Sequence, residues 1–353
     1  MNETVMCRFE KKGTEMNLYC GVDLHGDNGY YAIVDQNNKR IFNKRLPNEL
    51  DKVISALEPY RKQLKGIAVE STYNWYWLVD GLMKKKHKVG LANPAAMIQY
   101  SGLKNCNDQT DAFFIADQMR LGLLKYGYIY PEEERAVRDI LRRRMLFVQQ
   151  KTAQVLSFES LYSRQTGGQI NGNEVRKLKN ADIEKLFPDE HVRLMGQSSI
   201  ETIRFLTERI DMFERTALKQ CRLKKEFQKL YSVPGIGDVL ALTIMLETGD
   251  INRFARVGNY TSYCRGVSAD KYSNEKKKGK NNRKNGNKYL AWAYVEAAHY
   301  MIRYCPEAKQ WHQRKQTRSG KVVAVKALAS KICKACYFII KDQEDFDVKK
   351  IFG

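Results

Sequence analysis

The stretch 17-NLYCGVDLHGDNGYYAIVDQNNKRIFNKRL-46 decides how the first third of this chain is read. Leu18 to Asp23 is a short apolar run that ends on a carboxylate and gives way to a glycine-containing turn. Two strand-like runs follow, joined at DQNNK, so the segment reads as a three-strand meander. Downstream, Leu50, Val53, Ile54 and Leu57 stand at helical spacing, and the pattern is cut near Pro59. The stretch 65-KGIAVEST-72 is a buried strand closing on Glu70. Then 75-WYWLVDGLMKKKHK-88 reads as a helix and 89-VGLANP-94 as a strand. Last comes 104-KNCNDQTDAFFIADQ-118, which opens an apolar-periodic helix with Asp108 and Asp111 in its first turn. The order is βββ-α-β-α-β-α.

That order is the one found in RNase H-like folds, and the acids fall where such a fold would use them. Asp23 lies on the first strand, and Glu70 closes the strand expected beside it. Asp108 and Asp111, three apart, face the same way from one helix. Alone, Asp108 could be a helix cap and Glu70 a surface residue. Together, four converging carboxylates repel one another unless cations sit among them. Hard oxygen donors suit Mg²⁺ or Mn²⁺. Two such ions about 4 Å apart stabilise both the attacking and the leaving oxygen of a phosphoryl transfer. Asp35, Asp80 and Asp117 are expected to be solvated.

The 353 residues carry 61 Lys and Arg against 40 Asp and Glu, a formal net charge of +21. Such a surplus says little about fold but argues for a polyanionic partner, nucleic acid before a membrane surface. A mean hydropathy of −0.55 fits a soluble protein. No apolar run is long enough to cross a bilayer, and the N-terminus lacks a signal-peptide core, so the cytosol is expected. Of eight cysteines only Cys333 and Cys336 are close, inside a helical pattern without neighbouring histidines; buried reduced thiols are expected.

From about Glu132 the pattern becomes helical, with Leu141, Val148, Val155 and Tyr162 at seven-residue spacing and Arg142, Arg143 and Arg144 among them. Glycines and asparagines in 164-RQTGGQINGNEVRK-177 break it, and Ile203, Leu206, Ile210, Phe213 and Ala217 resume it. The pair reads as an antiparallel coiled-coil hairpin or a dimerising coiled coil. The arginines form either a solvated face or a phosphate contact. Further on, 230-LYSVPGIGDVLALTIMLETGD-250 places Gly235 and Gly237 between two apolar-periodic stretches, like a helix-hairpin-helix. Such a turn can offer backbone N–H groups to a phosphate, or simply let two helices pack. Between Lys271 and Lys288 stand eight Lys or Arg and one Glu; Lys276, Lys277, Lys278, Lys280, Arg283, Lys284 and Lys288 read as a mobile basic loop for nucleic-acid backbones. Ser273 sits at its base, a hydroxyl among lysines.

The four acids, as D, E and D-x-x-D-A, the spacer, and then SVPGIGDVLALTIM, YCRGVS and RKNGNKYLAWAYVEAA resemble the DEDD insertion-sequence transposases from about Leu18 to Asp347. These are bridge-RNA-guided serine recombinases with a RuvC-like N-terminal domain. The resemblance implies a RuvC-like, RNase H-like mixed-sheet domain over 17–130, a coiled-coil spacer over 131–228, and over 229–347 a mainly α serine transposase domain with a helix-hairpin-helix. It implies catalytic, metal-binding roles for Asp23, Glu70, Asp108 and Asp111. The usual K-T before the last pair is here Cys106-Asn107, which leaves the acids in place and alters a flanking contact. It implies a nucleophilic serine, for which Ser273 is preferred over Ser268, although Ser273 is followed by Asn274 where the family often has glycine. It further implies strand exchange of donor and target DNA through a phosphoserine, a structured guide RNA, a composite site built between subunits of a dimer or tetramer, and Mg²⁺ or Mn²⁺. Two alternatives stay open: a RuvC-like junction resolvase or nuclease that uses water as its nucleophile, and a catalytically silent nucleic-acid-binding derivative.

Overall fold

The computed structural model describes residues 16–94, 97, 108–267, 270–280 and 285–353. The chain divides into two compact units, one ending at Glu132 and one running from Glu133.

The first unit is built on a six-stranded sheet. Strands β1 (Leu18–Leu24), β2 (Asn28–Asp35) and β3 (Arg40–Pro47) form the expected antiparallel meander. Strand β4 (Leu64–Glu70) lies parallel beside β1, with Val22 opposite Val69, and β5 (Val89–Ala92) lies parallel to β4. A sixth strand, β6 (Tyr126–Gly127), pairs antiparallel with β5; two residues give no alternation from which to foresee it.

Helices α1 (Leu50–Leu57) and α2 (Tyr76–Lys84) cover one face of the sheet, and α3 (Asp108–Arg120) lies against the other. The period of two along each strand sorts the faces. Leu18, Cys20, Val22, Leu24, Ile67 and Val69 pack with Val53, Leu57, Leu78 and Leu82. On the α3 face the strands present Gly21, Ala32 and Ala68 to Ala112, Ile115 and Ala116. The small residues let the helix sit close. A Cβ on Gly21 would stand 2.1 Å from the Ala112 carbonyl oxygen and 2.5 Å from the Ala116 nitrogen. Both are backbone atoms of a packed helix, so Gly21→Val must push α3 off β1. We expect a loss of about 3 kcal/mol or more in the stability of this unit. Urea unfolding followed by its tryptophans, Trp75 and Trp77, measures it; an unchanged midpoint would contradict this packing.

Asp35 departs from the expectation that it is solvated. It is buried, and its Oδ1 accepts hydrogen bonds from the backbone N–H groups of Asn37 (2.9 Å) and Lys39 (2.8 Å), holding the β2–β3 turn. Asp117 is also engaged, pairing with Arg120 at 2.7 Å.

The second unit is mostly helical. Helices α4 (Glu132–Thr166) and α7 (Glu190–Cys221) form an antiparallel hairpin within the chain. Glu134 pairs with Lys224 just beyond α7, Arg144 with Glu214, and the ring of Phe147 with Phe213, so early α4 meets late α7. At the far end α5 (Gly172–Val175) and α6 (Asn180–Leu186) close a small core of Phe158, Val175, Ile183, Phe187 and Ile203. Two of the three adjacent arginines are engaged within the chain: Arg144 is held by Glu214 and Arg142 by the buried Glu247.

The main core gathers α8 (Lys225–Tyr231), α9 (Asp238–Thr248), α10 (Val257–Tyr263), α11 (Lys288–Tyr304), α12 (Pro306–Ser319), α13 (Lys321–Asp342) and α14 (Val348–Phe352). Cys333 and Cys336 are buried free thiols of α13, and burial pushes both thiols up, as expected of inert core cysteines. No helix among the described residues is long and apolar enough to cross a membrane.

The basic segment is not a loop where it is described. It is a two-stranded hairpin of β7 (Asp270–Ser273) and β8 (Lys276–Lys280), with Ser273 opposite Lys276. The two turn residues, Asn274 and Glu275, have φ of 51° and 60°, the left-handed pair that a two-residue hairpin turn demands. Asparagine tolerates that region; glutamate seldom does, which hid the turn.

Candidate active site

The carboxylates meet at one end of the sheet, on its α3 face. Asp23 follows Gly21 by two residues along β1 and points the same way. It is 5% exposed, although its neighbours on the strand are apolar. Glu70 stands one residue past the Val22–Val69 pairing, on the same face as Ala68, and shares a hydrogen bond with Asp23. Asp108 is the first residue of α3 and Asp111 lies in the same first turn. There the free N–H groups and the helix dipole favour negative charge, which offsets part of the repulsion.

The repulsion is still visible. Burial, the hydrogen bond to Asp23 and the charges of Asp23 and Asp111 push the Glu70 carboxyl up to about 7 from 4.5. Asp108 is more open and is reached through His25, whose Nε2 stands 3.3 Å from Asp23 Oδ2 and 3.4 Å from Asp108 Oδ2. His25 was not foreseen. The signal was present in the D-x-H spacing of 22-VDLHG-26, which places the imidazole on the face of Asp23.

The second unit holds the remaining candidates. Ser273 ends β7 and is exposed, beside the exposed Lys276 and Lys278. Lys277 and Lys280 belong to β8, and Lys288 opens α11. Arg283, Lys284 and Ser268 lie outside the described residues. The start of α11 is anchored by Asn287. Asn287 caps that helix, accepting from the N–H groups of Tyr289 and Leu290, and donates to Glu247 Oε2 at 2.7 Å. Arg142 grips both oxygens of Glu247, at 2.6 and 2.8 Å. A buried glutamate demands such partners, and together they tie α4, α9 and α11 at this point.

Gly235 and Gly237 lie in the turn between α8 and α9. Gly235 has φ +88°, and a Cβ there would stand 2.6 Å from the Met301 nitrogen, so this glycine is required by close packing on α11. Gly237, at the N-terminus of α9, has open space around it.

Two family models match the chain. Residues 20–163 match the DEDD transposase of IS110 elements, and residues 227–313 match the transposase IS116/IS110/IS902 family. The chain belongs to the IS110 family of transposases. No curated protein matches it. The first match takes in the whole acidic cluster, and the second takes in the glycine turn and the Ser273 hairpin. An IS110-type transposase is a DNA transposase, and its acidic site points to a divalent cation. The residues present fit one: closely placed oxygen donors, with Asp23 buried among them, repel one another and are relieved by a positive ion.

The Glu70 shift sets a pH dependence for the cation-free protein. A carboxyl raised on folding holds its proton more tightly in the native state than in the unfolded chain. Its contribution is intact below about 4.5 and is lost as pH climbs through about 7. Glu70→Gln, which cannot ionise, therefore unfolds at higher urea than wild type at pH 8 without divalent ions, and at the same urea at pH 4.5. Because Glu70 is partly exposed, solvent screening trims the gain to about 1–2 kcal/mol. A variant less stable than wild type at pH 8 would show that the carboxylate makes a favourable contact instead.

Proposed function

We propose that this transposase performs RNA-guided strand exchange between donor and target DNA, with Ser273 as nucleophile and Asp23, Glu70, Asp108 and Asp111 as ligands of Mg²⁺ or Mn²⁺. The observation that carries the reading is the meeting of Asp23, Glu70 and Asp111, with Asp108 joined through His25, at one sheet end of an IS110-family chain. Carboxylates so placed stabilise the oxygens of a phosphoryl transfer once a cation is bound.

In the serine step, Ser273 Oγ loses its proton and forms a new P–O bond as the bond from phosphorus to one deoxyribose oxygen breaks. Attack by a second DNA hydroxyl on the phosphoserine restores the serine and joins the new strands. The number of P–O bonds is conserved, so no nucleotide cofactor is consumed. The exposed lysines beside Ser273 favour the approach of a phosphate. We assign sequence choice to base pairing by a structured RNA from the element's ends, and the working form to a homo-oligomer. Gly237, open at the start of α9, and the hairpin lysines would then meet nucleic-acid backbone.

The test is strand exchange in vitro with purified protein, Mg²⁺, labelled donor and target DNA, and RNA transcribed from the element's flank. Omitting the RNA is expected to reduce joined product at least about a hundredfold, the discrimination that pairing supplies over backbone contact alone. Equal product without RNA would overturn the guided reading.

A further inference from the structure

His25 lies just past the end of β1, two residues beyond Asp23 and on its side of the sheet. We propose that His25 Nε2 is a metal ligand. The acidic centre then holds a cation by a mixed nitrogen–oxygen set of His25, Asp23 and Asp108, and prefers Mn²⁺ to Mg²⁺. This rests on the reading of the acids as cation ligands.

Donor atoms sharing one divalent ion, at bonds of roughly 2.1 Å and angles near 90–110°, stand roughly 3.0–3.4 Å apart. His25 Nε2 is 3.3 Å from one carboxylate oxygen and 3.4 Å from the other. The three donor atoms all lie within 4.8 Å of one another, and among the described residues no other group of His, Cys, Asp and Glu does the same.

The turn that carries His25 is also built to hold it. Its N–H donates to the Asn28 carbonyl at 2.8 Å. Its carbonyl accepts from Asn74 Nδ2 at 2.7 Å and from Asn48 Nδ2 at 3.1 Å. Asn74 follows Glu70 by four residues and is itself oriented by the Thr72 hydroxyl at 2.9 Å. Thus the loop that leaves one acid fixes the backbone beside another. The ring meets Tyr30 edge-on at 6.5 Å and 88°. Nε2 is itself buried, although the side chain as a whole is 39% exposed, so the ring turns this nitrogen inward among the carboxylates.

The donor set decides the preference. Mg²⁺ favours oxygen ligands and gives up its water reluctantly, whereas imidazole suits the first-row transition metals. One nitrogen in the set therefore strengthens Mn²⁺ binding with little gain for Mg²⁺.

The experiment uses the full chain and Mn²⁺ alone, followed by electron paramagnetic resonance. Bound Mn²⁺ is expected to show ¹⁴N modulation from the imidazole. His25→Gln should remove the modulation and weaken Mn²⁺ about tenfold or more, while Mg²⁺ affinity, measured by competition, shifts less than about threefold. The hydrogen bonds of the turn use the backbone of His25, so the substitution leaves them in place. Asp23→Asn separates the two readings. If it weakens Mn²⁺ while wild type shows no ¹⁴N modulation, the acid site stands and His25 is not a ligand. If Mn²⁺ binding ignores both substitutions, the acid-site reading falls and the inference falls with it.

Discussion

Asp23→Ala is expected to leave a protein that binds DNA and RNA with wild-type affinity and cleaves DNA at least about a thousandfold more slowly. Several observations separate this outcome from simple unfolding. Asp23 is buried in a strand whose packing is supplied by its neighbours: Val22 and Leu24 on one face, Gly21 beneath α3 on the other. Around its carboxylate stand His25 and other carboxylates, Glu70 foremost. Removing one of several like charges relieves repulsion in the cation-free protein, so the fold has no reason to fail. Binding, by contrast, draws on the long-range attraction of a chain with a net charge of +21 and on its basic hairpin. Cleavage of end-labelled element DNA in Mg²⁺, beside filter binding of the same DNA, measures both. Loss of binding along with cleavage would make Asp23 a structural residue.

What the sequence discloses follows from how local each signal is. The meander and the parallel strand β4 were legible because apolar runs of strand length end at turns, and the same runs display Asp23 and Glu70 at their ends. The α3 acids were legible because helical spacing alone places Asp108 and Asp111 on one side. His25 was hidden by a glycine turn that drew the reading away from its alternation with Asp23. The basic hairpin was hidden twice over, by lysines that carry no apolar alternation and by a turn of Asn274 and Glu275 where glycine would announce the bend. Asp35 looked like any polar turn residue; its burial comes from bonds to its own loop, which composition does not reveal. Glu247 sits in an apolar helix, and its partner Arg142 is 105 residues away, so no window of sequence joins them. The arginine triplet was ambiguous for the same reason.

Ser273→Ala should abolish covalent capture of DNA. The substitution removes one exposed hydroxyl at the end of β7 and leaves the backbone pairing with Lys276, so stability should move by no more than about 0.5 kcal/mol. Nucleic-acid binding should persist, because the lysines and the acidic site are untouched. Strand joining should fall below detection, about a thousandfold or more, since no other group holds the cleaved strand between the two transfers. This effect is distinct from that of Asp23→Ala, which slows the chemistry without removing the atom that forms the bond.

The phosphoserine itself is detected as a protein–DNA adduct that survives denaturation. Wild type and Ser273→Ala are incubated with Mg²⁺, labelled donor and target DNA, and RNA from the element's flank. A labelled protein band in wild type, absent in the variant, with the DNA-linked peptide containing Ser273, is the predicted result. DNA cleavage with no adduct in wild type would contradict it and make this transposase's nucleophile water, and an adduct that persists in Ser273→Ala would move the nucleophile to another residue, Ser268 first.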